Sequence, residues 1–185
     1  MRIPRCKICK TELLHRRNSL QVVCSPECAK IYAEQKRLKK ERKEYRDAKA
    51  KCKSRQEWLS DVQNIFNAYI RARDISNGYG CISCGTHGNV QYAAGHYRTV
   101  KAAPELRFNE FNVHLQCNRR CNKELSGNIL EYRLSLIERI GLERVVWLEG
   151  KHDPKHYTIE NLKTLKRWYQ RKTKRLLKKT ELNNR

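Results

Sequence analysis

Two cysteine pairs, Cys81/Cys84 and Cys117/Cys121, bracket a segment that carries His96 behind the small residues Ala94 and Gly95, and the second pair is followed directly by Asn122. A C-x2-C turn presents two thiolates from one tight knuckle, and two such turns complete the tetrahedral four-ligand site that zinc prefers. The second turn is C-x3-C, one residue longer. Paired spacing of this kind reads as structural zinc, with two disulfides as the alternative. Zinc held by four cysteines has no open position, so any activation of water falls to the bracketed residues. An imidazole titrates near neutral pH, which suits a general base; a histidine that only packs beside the knuckle is the plainer alternative. Arg98, Lys101, Arg107, Arg119, Arg120 and Lys123 surround these elements. As a cluster they could bind DNA, clamping a phosphate and offsetting the charge that develops during attack.

Ala94-Gly95-His96-Tyr97, Asn112 and Gln116-Cys117 to Cys121-Asn122 resemble the HNH (ββα-metal) nuclease signature, with asparagine in place of the last histidine. A closer resemblance is to the NinG (Rap) recombination proteins of lambdoid phages. It is carried by Cys81-Ile82-Ser83-Cys84-Gly85-Thr86, Ala94 to Thr99, Ala102 to Glu110 and Ser126-Gly127-Asn128, and it extends to the N-terminal cysteines, Tyr132-Arg133 and Ile140-Gly141. The resemblance implies an endodeoxyribonuclease acting on branched recombination intermediates, including Holliday junctions, in phage homologous recombination. The core also resembles phage recombination endonuclease VII, in which an asparagine after the last zinc cysteine ligates the catalytic divalent ion. By position, His96 becomes the general base, Asn122 a ligand of magnesium or manganese, and Asn112 the asparagine that holds the loop in shape. One departure stands out: the nuclease pattern places a metal-binding Asp or His immediately before the base, where this chain has Gly95. Magnesium keeps several waters, so one side chain plus substrate phosphate oxygens can suffice. A second ligand would come from His114 first, or from Asn112, Glu110 or Glu124.

These residues need elements to position them. The spacing suggests a β-hairpin through Val90 to Tyr97 and a helix opened after Cys121 by Asn122, Lys123 and Ser126. Trp58, Leu59, Val62, Ile65, Phe66, Tyr69 and Ile70 recur at helical spacing over Glu57 to Arg73, which predicts a core helix of the same domain or a homodimer helix. Ile129, Leu130, Leu134, Ile137 and Ile140 mark another helix, ending near Gly141, and Glu143 to Leu148 a short one. Thr158 caps a last helix with a narrow apolar face of Leu162, Leu165, Tyr169 and Leu176 opposite a basic face running from Lys163 to Lys179. His152, Asp153 and His156 read as a polar loop.

The N-terminus repeats the metal pattern: Cys6/Cys9 and Cys24/Cys28 form a second structural zinc module, in which His15 is the one candidate base and Arg16 and Arg17 suit phosphate contact. Ser25-Pro26-Glu27 opens a helix, and a Lys/Arg/Glu-rich stretch without an apolar stripe continues to Gln56. The organisation expected is a zinc module at 1–30, a basic helical linker at 31–56, an HNH-like domain at 57–150 and a basic helix at 151–185. The fold class is a small, zinc-stabilised α+β protein with a treble-clef-like core and flanking helices.

In 185 residues, 41 Lys and Arg face 19 Asp and Glu, a net charge of +22 that points to a polyanion, here branched or double-stranded DNA. A mean hydropathy of -0.87 and no long apolar run argue against a transmembrane span. Nine cysteines, eight of them paired and Cys52 alone, fit a reducing cytoplasm, that of the host bacterium for a phage protein. A homodimer would match a two-fold symmetric junction, and phage recombination proteins are expected partners. The competing readings are a non-catalytic zinc-dependent DNA-binding factor, a sequence-specific HNH enzyme and an RNA-binding zinc protein.

Overall fold

The computed structural model describes residues 3–14, 16 and 18–183, with the side chains of 50 and 179–183 left aside. His15 and Arg17 therefore lie outside the described residues, as does the side chain of Lys179. The chain divides into two compact units, Met1–Lys53 and Ser54–Arg185. The zinc module and the basic stretch expected at 1–30 and 31–56 thus fall together, and the C-terminal helix belongs with the central domain.

In the first unit, an isolated antiparallel bridge pairs Arg5 with Glu12 around the first knuckle. The side chain of Ser25 accepts a hydrogen bond from Cys28 N at 3.2 Å and caps helix α1 (Pro26–Cys52), with proline in the first turn. This satisfies an amide that the helix itself leaves unpaired. Residues 33–49 are all exposed, so no apolar face holds α1 to a core. Local pairs such as Arg37 with Glu34 (2.7 Å) and Glu41 (3.0 Å) support it instead, each contributing a few tenths of a kcal/mol.

The second unit is built around helix α2 (Arg55–Ser76). Ser54 and Glu57 form a reciprocal capping box at its start. Its apolar face buries Trp58, Leu59, Val62, Phe66, Tyr69 and Ile70, each fully buried side chain of this size contributing roughly 1.5–3 kcal/mol. That face packs against helix α5 (Ile159–Asn183): Phe66 and Tyr169 meet edge-to-face at 4.9 Å, and the Tyr169 hydroxyl donates to the Phe108 carbonyl at 3.1 Å. Thr158 caps α5 by accepting from Asn161 N at 3.1 Å.

Strands β1 (Tyr92–His96) and β2 (Val113–Cys117) pair antiparallel, with Gly95 opposite His114 and His96 opposite Val113. The strand expected from Val90 to Tyr97 is present, but it does not turn back on itself. Its partner lies beyond a long connection containing a 3-10 turn, Pro104–Leu106. No helix opens at Asn122 either: residues Asn118–Glu124 form a π-helical turn, and helix α3 (Ile129–Ile140) begins later. Helix α3 buries Tyr132 and Leu136, while Leu130 and Leu134 from its apolar series face solvent. Gly141 (φ 86°) separates it from helix α4 (Leu142–Glu149). The result is a small α+β fold. Among the described residues no helix is long and apolar enough to cross a membrane.

Candidate functional site

Cys81 and Cys84 sit on a knuckle closed by the Cys81 amide to the Thr86 carbonyl (2.9 Å) and the Gly85 amide to the Cys81 carbonyl (2.9 Å). Gly85 takes φ +68°, a conformation glycine adopts without strain. Cys117 ends β2, and Cys121 projects from the π-helical turn, which accommodates the longer C-x3-C spacing. The four sulfurs lie within 4.8 Å of one another, as do those of Cys6, Cys9, Cys24 and Cys28. Tetrahedral zinc at its usual Zn–S length spaces sulfurs about 3.8 Å apart, close to the 3.6 Å of Cys84–Cys117 and the 3.7 Å of Cys24–Cys28. None of the nine cysteines is in a disulfide. Both clusters could therefore hold a metal ion, and their donor sets fit zinc. Burial and the surrounding thiolates push Cys117 and Cys121 up to about 12, a proton affinity that a divalent ion would reverse.

Beside this cluster, His96 and Asn122 line one small cavity of about 210 Å³, together with Ala94, Thr99, Val100, Ser126, Gly127 and Ile129. His96 is half-buried at the end of β1, and its Nε2 lies 3.1 Å from the Arg107 carbonyl oxygen. A carbonyl can only accept, so Nε2 carries the proton and Nδ1 keeps its lone pair. Burial lowers the His96 pKa below the ordinary histidine value, opposed by the carbonyls of Arg107 and Ala94 and reinforced by the Arg107 charge. The imidazole is thus held neutral and oriented. Asn122 does not cap a helix; among the described residues nothing hydrogen-bonds its amide, which leaves its carbonyl oxygen available.

Asn112 is fully buried and clamps the loop that follows His96. Its Oδ1 accepts from Arg98 N at 2.8 Å, its Nδ2 donates to Arg98 O at 2.9 Å, and its carbonyl accepts from Tyr97 N at 2.8 Å. With every polar group so used, it shapes the loop and does not line the cavity. Glu149 secures the same loop from α4: it accepts from the Tyr97 hydroxyl, and its backbone carbonyl accepts from Arg98 Nη1 at 2.9 Å.

His114 is not brought to His96 and Asn122. Side chains alternate across a strand, so His114, paired with Gly95, faces away from His96, which is paired with Val113. It is buried, with Nε2 donating to Phe111 O at 3.2 Å and Nδ1 accepting from Arg73 Nη2 at 3.2 Å. As a ligand of a cation at Asn122 it is ruled out by this geometry. Glu110 is also committed elsewhere, to Lys172 (2.6 Å) and the Tyr69 hydroxyl (2.8 Å), and Glu124 pairs with Arg119 at 2.9 Å. Among the described residues no carboxylate lines the cavity. Of the candidate DNA contacts, Lys101, Arg119, Arg120 and Lys123 are exposed, whereas Arg98 and Arg107 are half-buried.

Two structural groups escaped the sequence reading. Gln116 is buried, and its Nε2 donates to Ser83 Oγ at 2.7 Å and to the Gly127 carbonyl at 2.5 Å. This fixes the carboxamide against Gly95. Asp74, also buried, accepts from Leu115 N at 2.7 Å and pairs with Arg73 at 2.7 Å. Burial pushes its carboxyl up, but His114 and Arg73 outweigh that and hold it at about 2. Its signal in the sequence is an acid that continues the i, i+4 series of Phe66 and Ile70 on an otherwise apolar face.

The model of the family described as Bacteriophage Lambda NinG protein matches residues 2–181. Protein ninG of Escherichia phage lambda is 42% identical over 171 residues, covering 83% of this chain and 82% of that protein. Protein ninG of Escherichia phage 933W is 41% identical over 190 residues, covering 93% and 92%, and that of Salmonella phage P22 is 41% identical over 171 residues, covering 83% of each. No solved structure matches. A match over nearly the whole length, spanning both four-cysteine clusters and the His96 segment that the second one brackets, means that this chain belongs to the bacteriophage lambda NinG protein family.

Proposed function

We propose that this chain is a structure-selective endodeoxyribonuclease of the HNH type that hydrolyses phosphodiester bonds in branched recombination intermediates such as Holliday junctions and D-loops. The observation that carries the reading is the shared cavity of His96 and Asn122 beside a four-cysteine cluster. His96 Nδ1 takes a proton from the attacking water while the Arg107 carbonyl holds the ring through Nε2–H. Asn122 is the residue that would hold magnesium or manganese, through its amide oxygen. Such an ion supplies polarisation of the scissile phosphate and stabilises the leaving oxygen. Lys101 and Lys123, next in sequence to residues lining the cavity, supply affinity for the backbone without base information. A junction has two-fold symmetry and needs two cuts, which favours a homodimer on DNA; recruitment by other phage recombination proteins fits the same role.

A second reading, a non-catalytic DNA-binding factor, draws on Gly95 and on the lack of any carboxylate in the cavity. Wild type and His96→Ala incubated with a labelled four-way junction and with linear duplex, with and without magnesium or manganese, separate the two. Cutting of the junction by wild type alone supports the nuclease. Selective binding without cutting by either protein supports the second reading.

A further inference from the structure

On the sheet face opposite His96 lies a second cavity, much larger at about 730 Å³ and lined by His114 among others. That volume lies in the range of sites that enclose a small ligand. Four aromatic side chains are exposed among the described residues of the second unit, Tyr79, Phe111, Trp147 and Trp168, and three of them, all but Trp168, line this one cavity. Exposed aromatic rings gathered around a concavity have a cost in water that a ligand would relieve. They are also dressed for π-stacking. The Arg139 guanidinium sits 4.0 Å from the centre of the Tyr79 ring, Arg144 sits 4.9 Å from that of Phe111, and His152 lies 4.4 Å from Trp147 with its Nε2 buried and, among the described residues, without a hydrogen-bond partner.

Charge narrows the ligand. In a chain of net charge +22 the wall of this cavity is close to balanced. Asp74 is paired with Arg73 and Glu110 with Lys172, and Glu105 and Asp153 stand among Arg139 and Lys155. A phosphate would be drawn to the open basic surface instead; a flat, uncharged, hydrogen-bonding ring suits the cavity. Rings of this kind become available in DNA only where a nucleotide is unpaired.

We propose that this cavity receives an unpaired nucleobase from the branch point of the DNA, stacked against Trp147 and Phe111. This rests on the DNA reading above and names a subsite for that substrate. It also gives a source of selectivity among branched structures: a branch that carries an unpaired nucleotide has a base to offer the face opposite His96, whereas an intact duplex has none.

The test compares binding of wild type, Trp147→Ala and Phe111→Ala to three four-way junctions at fixed salt: fully paired, with two unpaired thymidines at the branch, and with abasic sites in place of those thymidines. Stacking of a base is worth about 1–3 kcal/mol, or roughly 5- to 150-fold in Kd. The expected result is a preference of wild type for the thymidine junction in that range. The abasic junction and both variants lose it, with binding to the fully paired junction unchanged. Melting of the variants by circular dichroism shows that they fold. Equal binding of thymidine and abasic junctions by wild type, or variants that keep the preference, overturns the base subsite while leaving the DNA reading intact. Failure of wild type to bind any junction overturns both.

Discussion

The side chain of Gln116 occupies the space that any side chain at Gly95 would need. A Cβ at Gly95 would stand 3.0 Å from both Cβ and Cδ of Gln116 and closer still to its Oε1. The glutamine cannot step aside cheaply, because Ser83 and Gly127 hold its amide. The position before His96 is therefore closed to a metal-binding side chain by packing.

Gly95→Ala should lower stability by about 1–3 kcal/mol, the usual cost of forcing atoms into a packed site. In a double-mutant cycle with Gln116→Ala, the two changes should cost less together than the sum of the singles. Strict additivity in urea unfolding would show that the two positions do not compete for space.

His96→Ala should abolish cutting and leave junction affinity within a few fold. Because the base works in its neutral form and burial lowers its pKa, the rate of cutting should already be on its plateau at neutral pH and fall only when the pH drops below the ordinary histidine value of about 6.5. An acid limb centred above pH 7 would contradict this assignment.

Acid should unfold the second unit in two stages. His114 is buried with its pKa lowered, so the unfolded chain takes up a proton first and stability begins to fall below pH of about 6.5. Asp74 has its folded pKa depressed to about 2. Its contribution, roughly 2 kcal/mol, is complete above the unfolded value of about 4 and disappears as pH falls through 2. Urea unfolding of wild type and Asp74→Asn between pH 8 and about pH 2 checks this; the variant should lack the second stage.

Asn122→Ala should leave thermal stability nearly unchanged, since among the described residues nothing bonds its amide. The same change should weaken retention of manganese in a protein–junction complex, read by electron paramagnetic resonance. Full retention of manganese by the variant would remove Asn122 from the ligand set.

Replacing Cys9 or Cys117 by serine should each reduce bound zinc by one ion per chain. The Cys117 change should also unfold the sheet, because β1, β2 and the π-helical turn meet at that cluster. The Cys9 change should leave the unit from Ser54 onward folded. Elemental analysis and circular dichroism report the two effects separately.

Local patterns carried much of this in the sequence. The cysteine spacings gather into two four-sulfur clusters, and the apolar series from Trp58 to Ile70 is the buried face of α2. What escaped were relationships across distance. Val90 to Tyr97 was extended by its own composition, but its partner strand at Val113 is fixed by the knuckle and by Asp74, whose bond to Leu115 spans 41 positions. His114 looked like a ligand by type, yet the alternation that turns it away from His96 depends on a strand register visible only when both strands are paired. Gln116 stands in the motif, but its role is not legible there, because that role is steric and is exerted on a residue without a side chain.

Helix α1 has 27 residues and is therefore about 40 Å long. Duplex DNA completes one turn in about 34–36 Å. Laid along a duplex, α1 is a caliper slightly longer than the pitch, with the N-terminal cysteine cluster at its Pro26 end. On the DNA function proposed above, contacts along such a rod would be to phosphates and would carry no base information.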